Sequence, residues 1–550
     1  MPAPIILLQS FLICGTSWIL WRFFRQIIVK SPLDNVPGPE PVSFWKGNLP
    51  QVYDRRGWGF YEKLGYTYGQ VVKLYGMFGH KMLYVYDPLA LHSIIVKDQY
   101  VYEEAAWFVK SNELLFGPGL LASLGDHHRK QRKMLNPVFS IAHMRHMTPI
   151  FYRVTHKLES AIMSRVRDGP GEVDILNWMG RTALELIGQG GLGYSFDPLE
   201  EDVPDVLGDA LKAFMPTFAK LQIHRRLIPY FAELGSPRLR RWILDMIPDA
   251  RIQKMKYISD TVIEQSWKIF NEKKAALVKG DEAVVHQIGE GKDIMSILMK
   301  ANMNASAGDK LPEDELIAQM SMLTLAAMDT TSNALSRTLH LLSEHQDVQE
   351  KLRAELMQAR DGKDISYDDL VHLPFLDAVC RETLRRYPPA PWIFRVATKD
   401  IMMPLSEPVR GVNGTMMHEI LVPEGTTIQV GIMGSNWNKA IWGEDAMEWR
   451  PERWLSPLPS AVEEAKIPGV YSNLMTFLGG GRACIGFKFS QIEMKTVLSV
   501  LLTTFKFSLP KEKIEWNMAG VTYPTTGDDV KARMLLTVEP LEYAKITVEA

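Results

Sequence analysis

The chain has 550 residues, 46% of them hydrophobic and 10% aromatic, which is enough to bury a large core and unlike a disordered or fibrous protein. A formal net charge of -2 excludes a global field that would attract nucleic acid, so no nucleic-acid partner is expected, although Arg129, Lys130, Arg132 and Lys133 form a local basic patch. Three cysteines, Cys14, Cys380 and Cys484, are too few for a disulfide framework, and each thiol must be read separately.

From Pro4 to Trp21 the chain carries no charge, and its apolar character extends to Val29, long enough to span a bilayer as a tilted helix. No Lys or Arg precedes the run, whereas Arg22, Arg25 and Lys30 lie within or after its end. That order favours an uncleaved anchor over a signal peptide and keeps the following chain on the cytoplasmic side. Residues 1–30 are therefore expected to form a single membrane anchor, 31–45 a stiff proline-rich connector around Val36-Pro37-Gly38-Pro39, and 46–550 a cytosolic body held against the lipid. The sequons at Asn304 and Asn413 should then stay unglycosylated, because that modification belongs to the lumenal side.

Alternating apolar residues in VVKLYGMFGHKMLYVYDP predict two strands with a turn near Gly76 to Gly79. From about Pro88 to Arg386 apolar residues recur at three- and four-residue spacing, which predicts helices, among them one long helix from Pro312 to about Glu344. After Pro388 short β-branched runs return, and a last helix is expected from about Cys484 to Phe505. The fold class is mainly α with a small β region. Gly188-Gln189-Gly190-Gly191-Leu192-Gly193 satisfies the dinucleotide pattern, but it follows a helical run where such a loop must follow a strand, so no nicotinamide site is expected.

Chemistry concentrates in Phe477-Leu478-Gly479-Gly480-Gly481-Arg482-Ala483-Cys484-Ile485-Gly486. Glycines let backbone curl against a flat cofactor, and amides near a helix start can hydrogen-bond a sulfur anion, a suitable axial ligand for haem iron. A phosphate loop would need Gly-Lys-Ser/Thr, and Phe487 breaks that pattern. A nucleophile served by an upstream histidine and an inert buried thiol both stay open on local chemistry alone.

These ten residues resemble the haem-binding signature of the cytochrome P-450 family, Phe-x-x-Gly-x-Arg-x-Cys-x-Gly, with Phe477, Gly480, Arg482, Cys484 and Gly486 at every fixed position. Further motifs follow in the family's order. The resemblance implies a cytochrome P-450 fold behind one transmembrane helix, haem b with iron held by Cys484, and insertion of one oxygen atom of dioxygen into a substrate. It implies that Glu382 and Arg385 form a buried group with Arg453 of Pro451-Glu452-Arg453-Trp454, where the family has Phe in place of Trp454. His128, in the family's Trp position, Arg132 and Arg395 would reach the haem propionates, and Asp329 and Thr330 would deliver protons, with Ala327 standing where the family has glycine. Without the resemblance, His128 reads as a surface residue and Thr330 as a hydroxyl bonded back to its own helix.

As further implications, electrons come from an NADPH-cytochrome P-450 reductase, with cytochrome b5 as a second donor, at the endoplasmic reticulum membrane. The pocket segments of the family correspond to Ala105–Leu124, the region of Phe214–Phe218, Leu323–Ala327, Pro391–Phe394 and Val521–Thr526, largely apolar, which suits a hydrophobic small molecule. The helix order is most similar to fungal microsomal members, many of which tailor terpenoids and other secondary metabolites. A haem-thiolate isomerase or a haem sensor would have no need of Asp329 and Thr330.

Overall fold

The computed structural model describes residues 10, 13–18, 21, 29–199, 206–279, 291–527 and 531–542. The expected anchor falls mostly outside them, and among the described residues no helix is long and apolar enough to cross a membrane.

The expected hairpin forms as β1 (Val71–Tyr75) and β2 (Lys81–Val85), antiparallel, with Phe78 and Gly79 at positive φ in the turn. Three later segments complete its sheet: β3 (Tyr102–Glu103), β4 (Ile393–Ala397) and β5 (Thr427–Val430), in the order β1-β2-β5-β4-β3. Only β2 and β5 run parallel. Within residues 31–45, expected as a stiff connector, the segment from Pro32 to Pro37 packs on this sheet. Pro32–Asn35 make a turn of 3-10 helix capped by Ser31, Leu33 and Val36 are buried, and the Lys73 amide donates to Pro37 O at 2.8 Å. Leucine and valine beside the prolines make docking more favourable than standing in water.

Helices carry most of the rest of the body, beside three smaller sheets of two or three strands. α1 (Gly125–Leu135), α2 (Ile141–Val166) and α3 (Ile175–Leu186) precede the central α4 (Glu313–Glu344), which Pro312 introduces as predicted. Glu313, Asp314 and Glu315 in its first turn offset the helix dipole. At 32 residues α4 is about 48 Å long. It packs on α3, and α5 (Phe487–Thr504) packs on α2, joining one large apolar core. From Glu315 to Ser343 every residue of α4 is buried except Ala326, Ala327, Asp329 and Thr330. The longest helix among the described residues thus opens at Ala326, Ala327, Asp329 and Thr330, while polar residues elsewhere along it, such as Gln319, Asn333 and Arg337, are buried.

Ile187–Leu192, the dinucleotide-like segment, extends α3 as a wide helical turn. A methyl group on Gly190 would lie 2.5 Å from the Met147 side chain, and one on Gly188 would lie 2.7 Å from Tyr194 O. These glycines permit close packing, and the helical context is the one the sequence predicts.

Candidate active site

The Cys484 loop is held by its own backbone: the Cys484 amide donates to Phe477 O at 2.8 Å. Gly480 takes φ +62°, and a Cβ there would come within 2.1 Å of Ile95 O, so a side chain fits neither the conformation nor the space. α5 begins at Phe487, later than expected, because Cys484 to Gly486 form the turn that enters it. Burial raises the Cys484 thiol, outweighing the Gly486 amide and the Arg132 charge, which pull it down. The loop alone therefore does not hold a thiolate; a cation bound to the sulfur would. Cys484 lies deep in the fold yet keeps accessible surface, because it opens onto an internal cavity of about 440 Å³. Cys380, buried in a helix, has its thiol pushed up to about 12 by burial and is not on that cavity.

Asp329, Thr330, His128, Arg132, Arg395, Phe477, Arg482 and Cys484 all line this one cavity. They arrive from α1, α4, β4 and the cysteine loop, so folding alone brings them together. Arg132 donates through Nη1 to Ala483 O and through Nε to Asn136 Oδ1 at 2.9 Å, which ties α1 to the cysteine loop. Arg395 donates to Glu104 Oε2 at 2.7 Å, and Arg482 donates to Ser123 O at 2.7 Å with Glu103 3.8 Å away. His128 is buried, contrary to its reading as a surface residue. Burial, then the charges of Arg482, Arg132 and Arg395, push it down to about 3, so near neutrality it is an uncharged imidazole with one N–H to give. Three guanidiniums meeting two carboxylates leave this wall net positive.

The opposite chemistry lies on α4. Thr330 Oγ1 donates to Ala326 O at 2.7 Å, the back-bond expected of a threonine in a helix, and its lone pairs remain free to accept. Asp329 is half-buried as a residue, but its Oδ2 is covered and has no hydrogen-bond partner, while Oδ1 accepts from Asn333 Nδ2 at 3.3 Å. Desolvation pushes its carboxyl up to about 7, so it can hold or release a proton near neutral pH.

Behind the cysteine loop, Glu382 and Arg385 are fully buried and paired at 2.8 Å, and Arg453 joins at 3.4 Å. Trp454 Nε1 donates to Glu382 Oε2 at 3.0 Å, a bond that phenylalanine could not make.

A thiol in a largely apolar cavity, beside a net positive rim and sharing that cavity with an acid and an alcohol, suits a flat metal macrocycle that bears carboxylates. A family model, Cytochrome P450, matches residues 36–532. The chain belongs to the cytochrome P450 family. It is 57% identical over 534 residues to cytochrome P450 monooxygenase 91 of Postia placenta, an alignment covering 97% of this chain and 98% of that relative. It is 50% identical over 540 residues to a ganoderic acid synthetase of Ganoderma lucidum, covering 96% and 98%. To a cytochrome P450 monooxygenase of Hericium erinaceus it is 39% identical over 520 residues, covering 92% and 93%. This P450 is an oxidoreductase of the monooxygenase type, and its cofactor is haem bound through a cysteine thiolate.

The P450 cavity agrees with most of the expected pocket segments. The last is corrected: Met518 to Val521 line the cavity, whereas 522–526 do not, because the Thr522 amide is drawn to Pro389 O and Tyr523–Thr526 pair with Ile514–Asn517. Sequence reasoning missed Glu104 and Arg225 as lining residues and reached Trp107 only as part of the Ala105–Leu124 segment. None sits in a motif with a chemical spacing, and only the fold turns them inward.

Proposed function

We propose that this P450 is anchored in the endoplasmic reticulum membrane by residues 1–30 and oxidises a hydrophobic small molecule of secondary metabolism, of terpenoid type. The observation that carries the reading is the cavity with Cys484 on one wall, Asp329 and Thr330 on another, and apolar side chains over most of the remainder. The name of the Ganoderma relative, a ganoderic acid synthetase, favours such chemistry. Cys484 would bind the iron, and Arg132, Arg395, Arg482 and the neutral His128 would hold the propionates. The haem, once bound, supplies dioxygen activation. The protein's share is to exclude water with apolar walls, to orient the substrate, and to pass protons from Asp329 through the Thr330 hydroxyl. Electrons would come from an NADPH-cytochrome P-450 reductase, with cytochrome b5 as a second donor.

The test is to supply the full chain in microsomes with that reductase and NADPH against pooled lipophilic metabolites. Dioxygen consumption matched by a hydroxylated product supports the reading; conversion without dioxygen uptake would indicate an isomerase or dehydratase.

Thr330→Ala is expected to keep its haem and fold, since only a back-bond is lost. It should release hydrogen peroxide in place of product and lower product per NADPH by about 100-fold, the low end of what a positioned proton donor contributes. Unchanged coupling removes Thr330 from the mechanism.

Asn304 and Asn413 are exposed, so glycosylation at either depends on which side of the membrane it faces. Endoglycosidase treatment of the chain expressed in a fungal host should leave its mobility unchanged. A shift at either site would place the body in the lumen.

A further inference from the structure

The cavity contains a fourth guanidinium that the rim does not use. Arg225, in the helix Gln222–Phe231, lines it at 5% exposure. It is absent from the charges felt by His128, which are those of Arg482, Arg132 and Arg395, so it belongs to a separate part of the wall. Among the described residues it forms no ion pair. The carboxylates lining the cavity are Glu104, engaged by Arg395, and Asp329 on α4. Its hydrogen bonds are long, 3.4 Å from Nε to Ser111 Oγ and 3.3 Å from Nη1 to Gln222 Oε1, and Nη2 is buried with none. The guanidinium lies instead against aromatic faces, 3.6 Å from the Phe218 ring centroid and 4.8 Å from that of Trp107.

Trp107 adds a second observation. Its Nε1 is also buried with no acceptor. Two neighbouring side chains thus carry donors without acceptors, one of them charged, in a wall whose nearby polar side chains, Tyr53, Asn112 and Gln222, are all uncharged. A buried charge without a counterion is costly, and cation-π contacts offset only part of that cost. Desolvation has already pushed Arg225 down to about 9, as expected for a cation lacking its counter-charge. Ring faces cannot accept the hydrogen bonds that Nη2 and Trp107 Nε1 leave unmade. A ligand oxygen carrying negative charge can, and a guanidinium fork suits a carboxylate.

We propose that the substrate of this P450 is a lipophilic carboxylic acid, whose carboxylate is taken by Arg225 and Trp107 while its hydrocarbon frame fills the apolar chamber. Arg225 thereby selects acids over neutral molecules of the same frame and fixes which end of the substrate points away from it. The inference rests on the reading of this cavity as the substrate chamber of a haem monooxygenase.

The test uses the full-length holoenzyme and two matched pairs, palmitic acid with methyl palmitate and abietic acid with methyl abietate, titrated by the substrate-induced change in the haem absorption spectrum. Each pair keeps the frame and removes the charge. Wild type should bind at least one acid about ten-fold or more tighter than its ester, the scale of a charge-assisted hydrogen bond. Arg225→Gln should bring that acid's affinity down to its ester's, and Arg225→Lys should restore part of the difference. Esters bound as tightly as acids in both frames overturn the proposal, as does an acid preference that survives in Arg225→Gln. So does the absence of any response to the acids from an enzyme whose reduced carbon monoxide band is intact. The wild-type comparison needs no variant to fold. Loss of that band in wild type, by contrast, would sink the haem reading itself, so the two failures are distinguishable.

Discussion

Cys484→Ser is expected to abolish the strongly red-shifted absorption of the reduced carbon monoxide complex and to reduce monooxygenase turnover below detection. Of the three cysteines, Cys484 is the one on the cavity; Cys380 is buried elsewhere in a helix. A serine hydroxyl ionises far less readily than a thiol and donates less electron density to iron. The fold should survive, because the loop is closed by the backbone bond from the Cys484 amide to Phe477 O and by Gly480, neither of which involves the sulfur. Circular dichroism identical to wild type together with loss of the band is the expected pair of results. A variant that kept the band would falsify the ligand assignment.

Glu382→Ala should be the most destabilising single substitution in the haem-side scaffold, costing about 3–5 kcal/mol, the scale of breaking a buried ion pair from one side. Its two oxygens accept from Arg385 Nε and Nη2 at 2.8 Å, the Arg450 amide and Trp454 Nε1 at 3.0 Å, and Arg453 Nε at 3.4 Å. Alanine would strand the Arg385 and Arg453 charges, both buried, with only carbonyls and Asp445 to receive them. Burial raises the Glu382 carboxyl, but Arg385, the Arg450 amide and Arg453 together hold it below its ordinary value. Its contribution is therefore present above the unfolded value of 4.5 and is lost as pH falls through the lower folded value. Urea denaturation at neutral pH measures the loss, and an unchanged midpoint would show the group to be dispensable. Trp454→Phe, which removes one of five donors, should cost only about 1 kcal/mol.

The residues that announced themselves did so through spacing. Phe477 to Gly486 packs five fixed positions into ten residues, and Glu382 and Arg385 are three apart on a helix, where such pairs meet. The hairpin and the long helix after Pro312 were legible because period-two and period-3.6 patterns are local properties of the chain. Other features followed different rules. His128 sits among charged neighbours in sequence, so nothing local said that it would be buried between three arginines. Residues 31–45 read as a stiff connector by their prolines, and Leu33 and Val36 within them find apolar partners only once the sheet exists.

By itself the sequence determined the helical body, the small sheet, the glycine-rich cysteine loop and the identity of the groups able to carry redox and proton chemistry, because these depend on residue type and near neighbours. Only the tertiary structure decided that α4 would be open at Ala326, Ala327, Asp329 and Thr330 alone, that burial rather than the loop amides would govern the Cys484 thiol, and that Arg225 would face the chamber without a counterion. Solvation and pairing are set by what packs around a group, and here the packing comes from segments hundreds of residues apart. Local chemistry named the candidate groups, and long-range packing set their surroundings and their access.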